Sequence, residues 1–319
     1  MASHASTLTK PGPNRRSPVL VPHEHRKGGP VRGERRTYLG LSAPGLLMLL
    51  LVYAYPVIFA LYQSVHDGNL IDPGDFIGAG NYTDALTSED FWSAARFTLI
   101  FTVVGVFGSW IVGLGISLLL MRKTPARTLF KVLLLLPWIV PVAVSAMSWS
   151  YLVGSPSTSP IPKFFTYLGL DAPLFLANPT LAVITVCVFK VWVSFPFMML
   201  MSSSALAAVD PTLYEAAAVD GSSRWQQFVH ITLPMIRPST LISWVLMVIF
   251  CVNDFPTIYL LTAGGPVNAT TSLVVLAYAK VFLNNQIGQG VAIAFLATAA
   301  LVVMSIFLFR FIKKASIAE

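Results

Sequence analysis

Two ionisable residues stand where an apolar chain should carry none. Lys190 lies near the middle of one apolar run, residues 179–204, and Asp254 lies late in another, 239–262, beside Asn253. A charge at the centre of a membrane helix costs about 2.5–3.5 kcal/mol on insertion scales, so each must face protein or water. The two suit either an ion pair between helices or the polar wall of a cavity, and both readings stay open. Lys190, Ser194 and Phe197 share one helical face at 3- and 4-residue spacing, while Trp192 falls on another, suited to packing against a neighbouring helix. Asn253, Asp254 and, two turns from Asn253, Tyr259 add an amide, a carboxylate and a phenol. Such a set holds a solute by hydrogen bonds and by ring faces laid on apolar surface.

The same residues do not suit covalent chemistry. An embedded enzyme needs paired carboxylates or a nucleophile with its base. Here a lone in-span aspartate has no histidine beside it, since His66 and His230 fall at run ends or in loops. His4, His23 and His25 match no metal-ligand spacing, and Cys187 and Cys251 read as small buried apolar residues. The G-x-x-x-x-G-K-[ST] phosphate loop does not occur, so ATP hydrolysis by that route, and any cofactor of this chain's own, are not expected.

The elements that position these groups are long. Charged residues make up 11% of the chain and hydrophobic ones 55%. Six apolar runs, near 39–65, 97–121, 129–153, 179–204, 239–262 and 289–312, each exceed the roughly 20 residues that cross a bilayer as helix. They predict an all-α membrane protein with six transmembrane helices, kinked at Pro56, Pro137, Pro141, Pro196 and Pro256. Of 21 lysines and arginines, all but Arg96, Lys163, Lys190 and Lys280 fall on one side of such a topology. The positive-inside bias places that side, with both termini, in the cytoplasm. The net charge of +7 belongs to this asymmetry and requires no nucleic acid. Residues 1–36, rich in Pro, Gly, Arg and His, read as a disordered cytoplasmic tail. The first apolar run starts too late and is too long for a cleaved leader. Three segments, about 66–96, 154–178 and 263–288, are left outside. The first is acidic, and the second carries Phe164-Phe165-Thr166-Tyr167, suited to a small interfacial helix.

Between the fourth and fifth runs lies a mixed polar and apolar stretch at 210–238. Asp210 can cap a helix, Pro211 fits its first turn, and Gly221 ends it after Asp220. Ser222 or Ser223 restarts a helix carrying Trp225, Phe228 and Val229, which Leu233-Pro234 stops before the chain re-enters lipid. Glu215-Ala216-Ala217, then Gly221, then Ile231, Leu233 and Pro234 meet every fixed position of E-A-A-x3-G-x9-I-x-L-P.

That segment resembles the EAA loop of the permease subunits of bacterial ABC importers, and the resemblance covers roughly 40–312. It is closest to carbohydrate-importer permeases of the maltose and glycerol-phosphate kind, and the overall text looks most like permeases of mycobacterial trehalose importers. The compact loop after the first run departs from the maltose version, which carries a large inserted domain there. The resemblance implies a six-helix type I importer permease over 37–319, in a bacterial plasma membrane. It implies passage of a sugar, such as a disaccharide, with a non-sugar solute or an embedded enzyme as alternatives. It implies a second permease, an ATPase dimer that binds ATP and Mg, and an external substrate-binding (lipo)protein as partners. Glu215, Ala216, Ala217, Asp220 and Gly221 would couple to the ATPase, with Glu215 giving a charge-assisted contact. Laid on maltose-type permeases, positions 190, 193, 194 and 197 fall where that family contacts its sugar.

Overall fold

A long apolar run in lipid leaves each backbone N–H no acceptor but its own helix. The computed structural model describes residues 32–317 apart from 70, 73 and 122–125, and among them the sole β pairing is an isolated bridge between His66 and Phe76. The chain divides into two units, Met1–Pro56 and Val57–Glu319. Helix α1 (Arg32–Ser64) begins in the first, and its apolar stretch from Gly40 is long enough to cross a bilayer. It starts inside the stretch expected to be a disordered tail; residues 1–31 lie outside the described residues, as do Arg122 and Lys123.

The second unit holds, in chain order, α2 (Gly80–Thr87), α3 (Glu89–Met121), α4 (Arg127–Ile139), α5 (Val142–Val153), α6 (Pro160–Tyr167) and α7 (Pro179–Ala207). It continues with α8 (Pro211–Val219), α9 (Arg224–Gln227), α10 (Leu233–Val252), α11 (Pro256–Thr262), α12 (Leu273–Tyr278) and α13 (Ile287–Ile317). Two π-helical turns, Phe228–Thr232 and Ala279–Leu283, join α9 to α10 and extend α12.

Five helices are long and apolar enough to span a membrane among the described residues, and α4 with α5, bent by 90°, meets that length only when the two are taken together, which gives six. The expected third span is therefore broken, not merely kinked. Val140, at ψ 133°, is extended because a residue before proline is driven out of the helical region, and Pro141, at ψ 132°, is also outside that region and stands as the N-cap of α5. The expected fifth span also ends early, at Val252, and Pro256 opens the separate α11 with a nitrogen that needs no acceptor there. Its start differs too: Leu233-Pro234 does not stop the preceding helix. The helix runs from Arg224 to Val252 without a break, and the wider π turn at 228–232 lies where Pro234 offers no N–H. The region read as a third external connector contains α12, because Leu273, Leu276 and Ala277 bury against Ala85, Phe91 and Ile293.

The packing centre is α3 against α7, with α10 laid across both. Close approach is possible because α3 offers glycine at the crossing. A Cβ on Gly113 would sit 2.6 Å from the Met199 backbone nitrogen, and one on Gly108 would sit 2.6 Å from Val191. The Ser117 hydroxyl donates across the crossing to the Met199 carbonyl at 2.8 Å. Phe101, Val186, Phe189, Met198, Met247, Cys251 and Ile258 fill the core beside it, and both cysteines are buried and free.

Candidate functional site

The site is built where three helices meet. Helix α7 starts cleanly: the Asn178 side chain accepts from the amides of Thr180 and Leu181, and Pro179 occupies the first turn. Three turns on, Lys190 points into the protein and is 5% exposed. Its Nζ donates to Asp254 Oδ2 at 2.6 Å, and Asp254 is itself 8% exposed. Of the two sequence readings, the ion pair is thus made, and it is buried.

Asp254 does more than neutralise. It sits in the break after α10, and its Oδ1 accepts from the Thr257 amide at 3.1 Å, holding the first turn of α11. One carboxylate therefore ties α7, the end of α10 and the start of α11 together. The ammonium also lies 5.7 Å from the centre of the Phe101 ring on α3, within reach of a cation–π attraction. Gly105 makes the room: a Cβ there would be 2.8 Å from Cys251 Sγ and 3.2 Å from Lys190 Cγ. Neither Phe101 nor Gly105 is marked by the sequence, because α3 is apolar on every face and offers no periodicity to read.

The other expected residues are placed unevenly. Ser194 is buried one turn after Lys190 and makes no hydrogen bond among the described residues, so its hydroxyl is unspent. Phe197 follows on the same face, its ring 6.1 Å from Trp138 of α4 and 5.8 Å from Phe250 of α10. Trp192 packs on Trp149 of α5, the neighbouring-helix role expected for it. Asn253 caps α10 and is exposed, its side-chain amide turned back to the Ile249 carbonyl at 2.9 Å. Tyr259 lies on α11, stacked on Phe255 at 4.7 Å and edge-on to Tyr278 at 5.1 Å, so the helix break separates it from the α10 face. Lysine keeps two N–H donors beyond the one given to Asp254. The arrangement can orient a polar solute, and it contains no group placed to break a bond.

The 210–238 segment has the local chemistry its residues imply. Asp210 accepts from the Thr212 amide at 2.9 Å, and this bond and the Thr212 hydroxyl hold its carboxyl below the ordinary value of 3.8. At the other end of α8, the Ser222 amide donates to Ala217 and the Gly221 amide to Ala218, with Gly221 at φ +80°. That bond pair closes a Schellman turn, which needs a left-handed residue where glycine stands. Ser223 and Gln226 then form a reciprocal capping box over α9. Glu215, Ala216, Asp220 and Gly221 are exposed and Ala217 is half-buried. Tyr214 ties α8 inward: it packs on Leu206, Val209 and Ile236, and its hydroxyl meets Thr232 Oγ1 at 3.0 Å. The exposed helix is thereby linked to the π turn, and through α10 to Asp254, some 30 Å away at 1.5 Å per helical residue.

The chain matches the model of the family described as "binding-protein-dependent transport system inner membrane component" over residues 105–316. It is 33% identical over 287 residues to the trehalose transport system permease protein SugA of Mycobacterium tuberculosis, covering 89% of this chain and 90% of that one. It is 34% identical over 254 residues to the trehalose/maltose transport system permease protein MalF of Thermococcus litoralis, covering 79% and 85%. Among solved structures, a chain of the bacterial alginate ABC transporter, in complex with alginate pentasaccharide-bound periplasmic protein, superposes with a TM-score of 0.74 at 21% identity. That match covers 86% of this chain and 93% of the other, and carries the fold alone.

Proposed function

This chain belongs to the binding-protein-dependent transport system inner membrane components, and from that premise we propose that it is the permease subunit of an ATP-driven sugar importer taking a trehalose-like disaccharide. Identity of 33% across 89% of the chain with a trehalose permease carries the substrate reading. The chemistry of the buried site agrees with it. Sugar hydroxyls want both donors and acceptors, and Lys190, Ser194 and Asp254 supply both, with the exposed Asn253 beside them at the end of α10. Sugar faces want aromatic rings, and Phe197 supplies one on the same wall.

Energy comes from a separate ATPase in this reading. The exposed face of α8 fits a groove on that subunit, with Glu215 for a charge-assisted contact and Ala216 and Ala217 allowing close approach. Closure of the ATPase would push α8, then the π turn, then α10, whose far end carries Asp254. The family's dependence on a binding protein supplies the donor of the sugar on the opposite face. A second permease completes the pathway, and the lysine and arginine bias puts α8 on the cytoplasmic side.

The test is uptake of labelled trehalose by cells lacking the chain and by the same cells complemented with it. Uptake should require the chain and be competed by unlabelled trehalose. If inorganic phosphate or a short peptide competes and trehalose does not, the sugar reading fails.

A further inference from the structure

Where the chain leaves α1, it closes with α2 and the start of α13 around a polar pocket of about 210 Å³. Asp67, Asn81, Asp84, Gln286 and Gln289 line it with the Gly68 backbone, and Ile77 is its one apolar side chain among the described residues. The walls are closely fitted. A Cβ on Gly288 would sit 2.5 Å from Asn81 Nδ2, so glycine lets α13 approach α2. Asp67 Oδ1 accepts from the Asp75 amide at 2.7 Å, which fixes that carboxylate and leaves its second oxygen over.

These groups offer acceptors. Asn81 is 6% exposed, and its Nδ2 donates to the carbonyls of Ser64 at 3.0 Å and His66 at 2.8 Å. Both amide protons are thereby spent and the amide is held in place. Its Oδ1 has no donor among the described residues, yet it is not among the atoms sealed from solvent. What Asn81 shows to the pocket it lines is therefore a free acceptor at a nearly buried position, where an unpaired polar atom is the exception. Asp67 and Asp84 form no ion pair among the described residues, and no lysine or arginine lines the pocket. The side chains of Gln286 and Gln289, three residues apart, have no hydrogen-bond partner there either.

Two carboxylates and three side-chain carbonyls, with no basic group to neutralise them, call for a cation. A set of oxygens without nitrogen or sulfur suits a hard ion over zinc or copper. Calcium takes about six to eight oxygens in flexible geometry, water supplying the remainder, whereas magnesium demands a stricter octahedron. No group of three or more acidic, histidine or cysteine ligands gathers among the described residues, so the affinity is of the weak, extracellular order. That agrees with the place: with α8 on the cytoplasmic side, the start of α13 stands at the external face. We propose that this pocket binds one calcium ion, which clamps the chain after α1 to α2 and α13. The proposal rests on the membrane topology and is independent of the sugar and of the ATPase.

The experiment uses the purified complex containing the full chain, stripped with a chelator and titrated with Tb³⁺, a calcium-sized probe whose emission is sensitised by nearby rings such as Tyr82. Emission should saturate, and millimolar Ca²⁺ should displace the probe far better than equal Mg²⁺. Ca²⁺ should also raise the thermal unfolding midpoint, as a ligand of the folded state does. Asp67→Asn and Asp84→Asn should each weaken Ca²⁺ binding about tenfold or more, because affinity follows ligand charge. Both keep the side-chain shape, and the first keeps an acceptor for the Asp75 amide. Asp171→Asn, at an exposed aspartate that does not line the pocket, should change nothing. Emission that never saturates, equal displacement by Mg²⁺, or wild-type Ca²⁺ affinity in either pocket variant overturns the proposal. So does a calcium-independent loss of binding-protein capture in Asp84→Asn, which assigns the pocket to a cationic side chain of that partner.

Discussion

Lys190 and Asp254 carry the sharpest tension in the molecule. Removing one member of a buried ion pair strands the other, at a cost of about 3–5 kcal/mol. Lys190→Ala should therefore lower stability by that order and raise the trehalose concentration needed for uptake. The double variant Lys190→Met, Asp254→Asn removes both charges while keeping an acceptor for the Thr257 amide. It should recover most of the stability in detergent thermal unfolding yet still transport poorly. Wild-type uptake by the double variant would make the pair structural alone. Gly105→Val should cost about 1–3 kcal/mol by overlap with Cys251 and Lys190, measured in the same unfolding assay. The residue types of this site were legible in the sequence, because a charge within an apolar run has few meanings. Its geometry was not. Asp254 reaches both Lys190 and Thr257 only because α10 stops at Val252, and a tract of apolar letters does not say where a helix stops.

At the scale of elements, α8 and its turn were almost wholly readable. Capping and left-handed turns are local, so Asp210, Pro211, Gly221 and Ser223 specify them without help from distant contacts. Gly221→Val tests that locality. No atom stands within 4 Å of the added Cβ, so the loss is chiefly that of a β-branched residue held in a left-handed backbone, on the order of 1–3 kcal/mol. It should misdirect α9 and raise ATP hydrolysed per sugar moved, while leaving the chain in the membrane. Glu215→Ala, on an exposed side chain, should raise the same ratio with no loss of stability. An unchanged ratio in both would remove α8 from coupling. The cap also sets a pH dependence. A carboxyl held below its ordinary value of 3.8 contributes fully above that value and loses its contribution as pH falls through the lowered one. The protection of the Thr212 amide against hydrogen exchange, taken relative to the intrinsic rate at each pH, should fall only in that acid window, and Asp210→Asn, which caps without titrating, should abolish the dependence. Other elements depend on distant neighbours. The continuity of α9 with α10 depends on a π turn beside a proline, and α12 forms because Ala85, Phe91 and Ile293 wait for its apolar side.

For the molecule as a whole, length and hydropathy sufficed for the membrane and for five of the six expected spans, since a bilayer imposes a length that residues cannot evade. The 90° bend between α4 and α5 was not visible, although Pro141 marks its place, because proline breaks or kinks according to what surrounds it. In the function proposed above, this chain moves a sugar as one subunit of a machine powered elsewhere. Affinity purification of the chain from native membranes, with mass spectrometry of what accompanies it, tests that claim most directly. A second EAA-bearing permease, an ATPase and a binding protein whose bound ligand is a disaccharide should come with it. A chain that leaves the membrane with no ATPase beside it is not the permease of an ATP-driven importer.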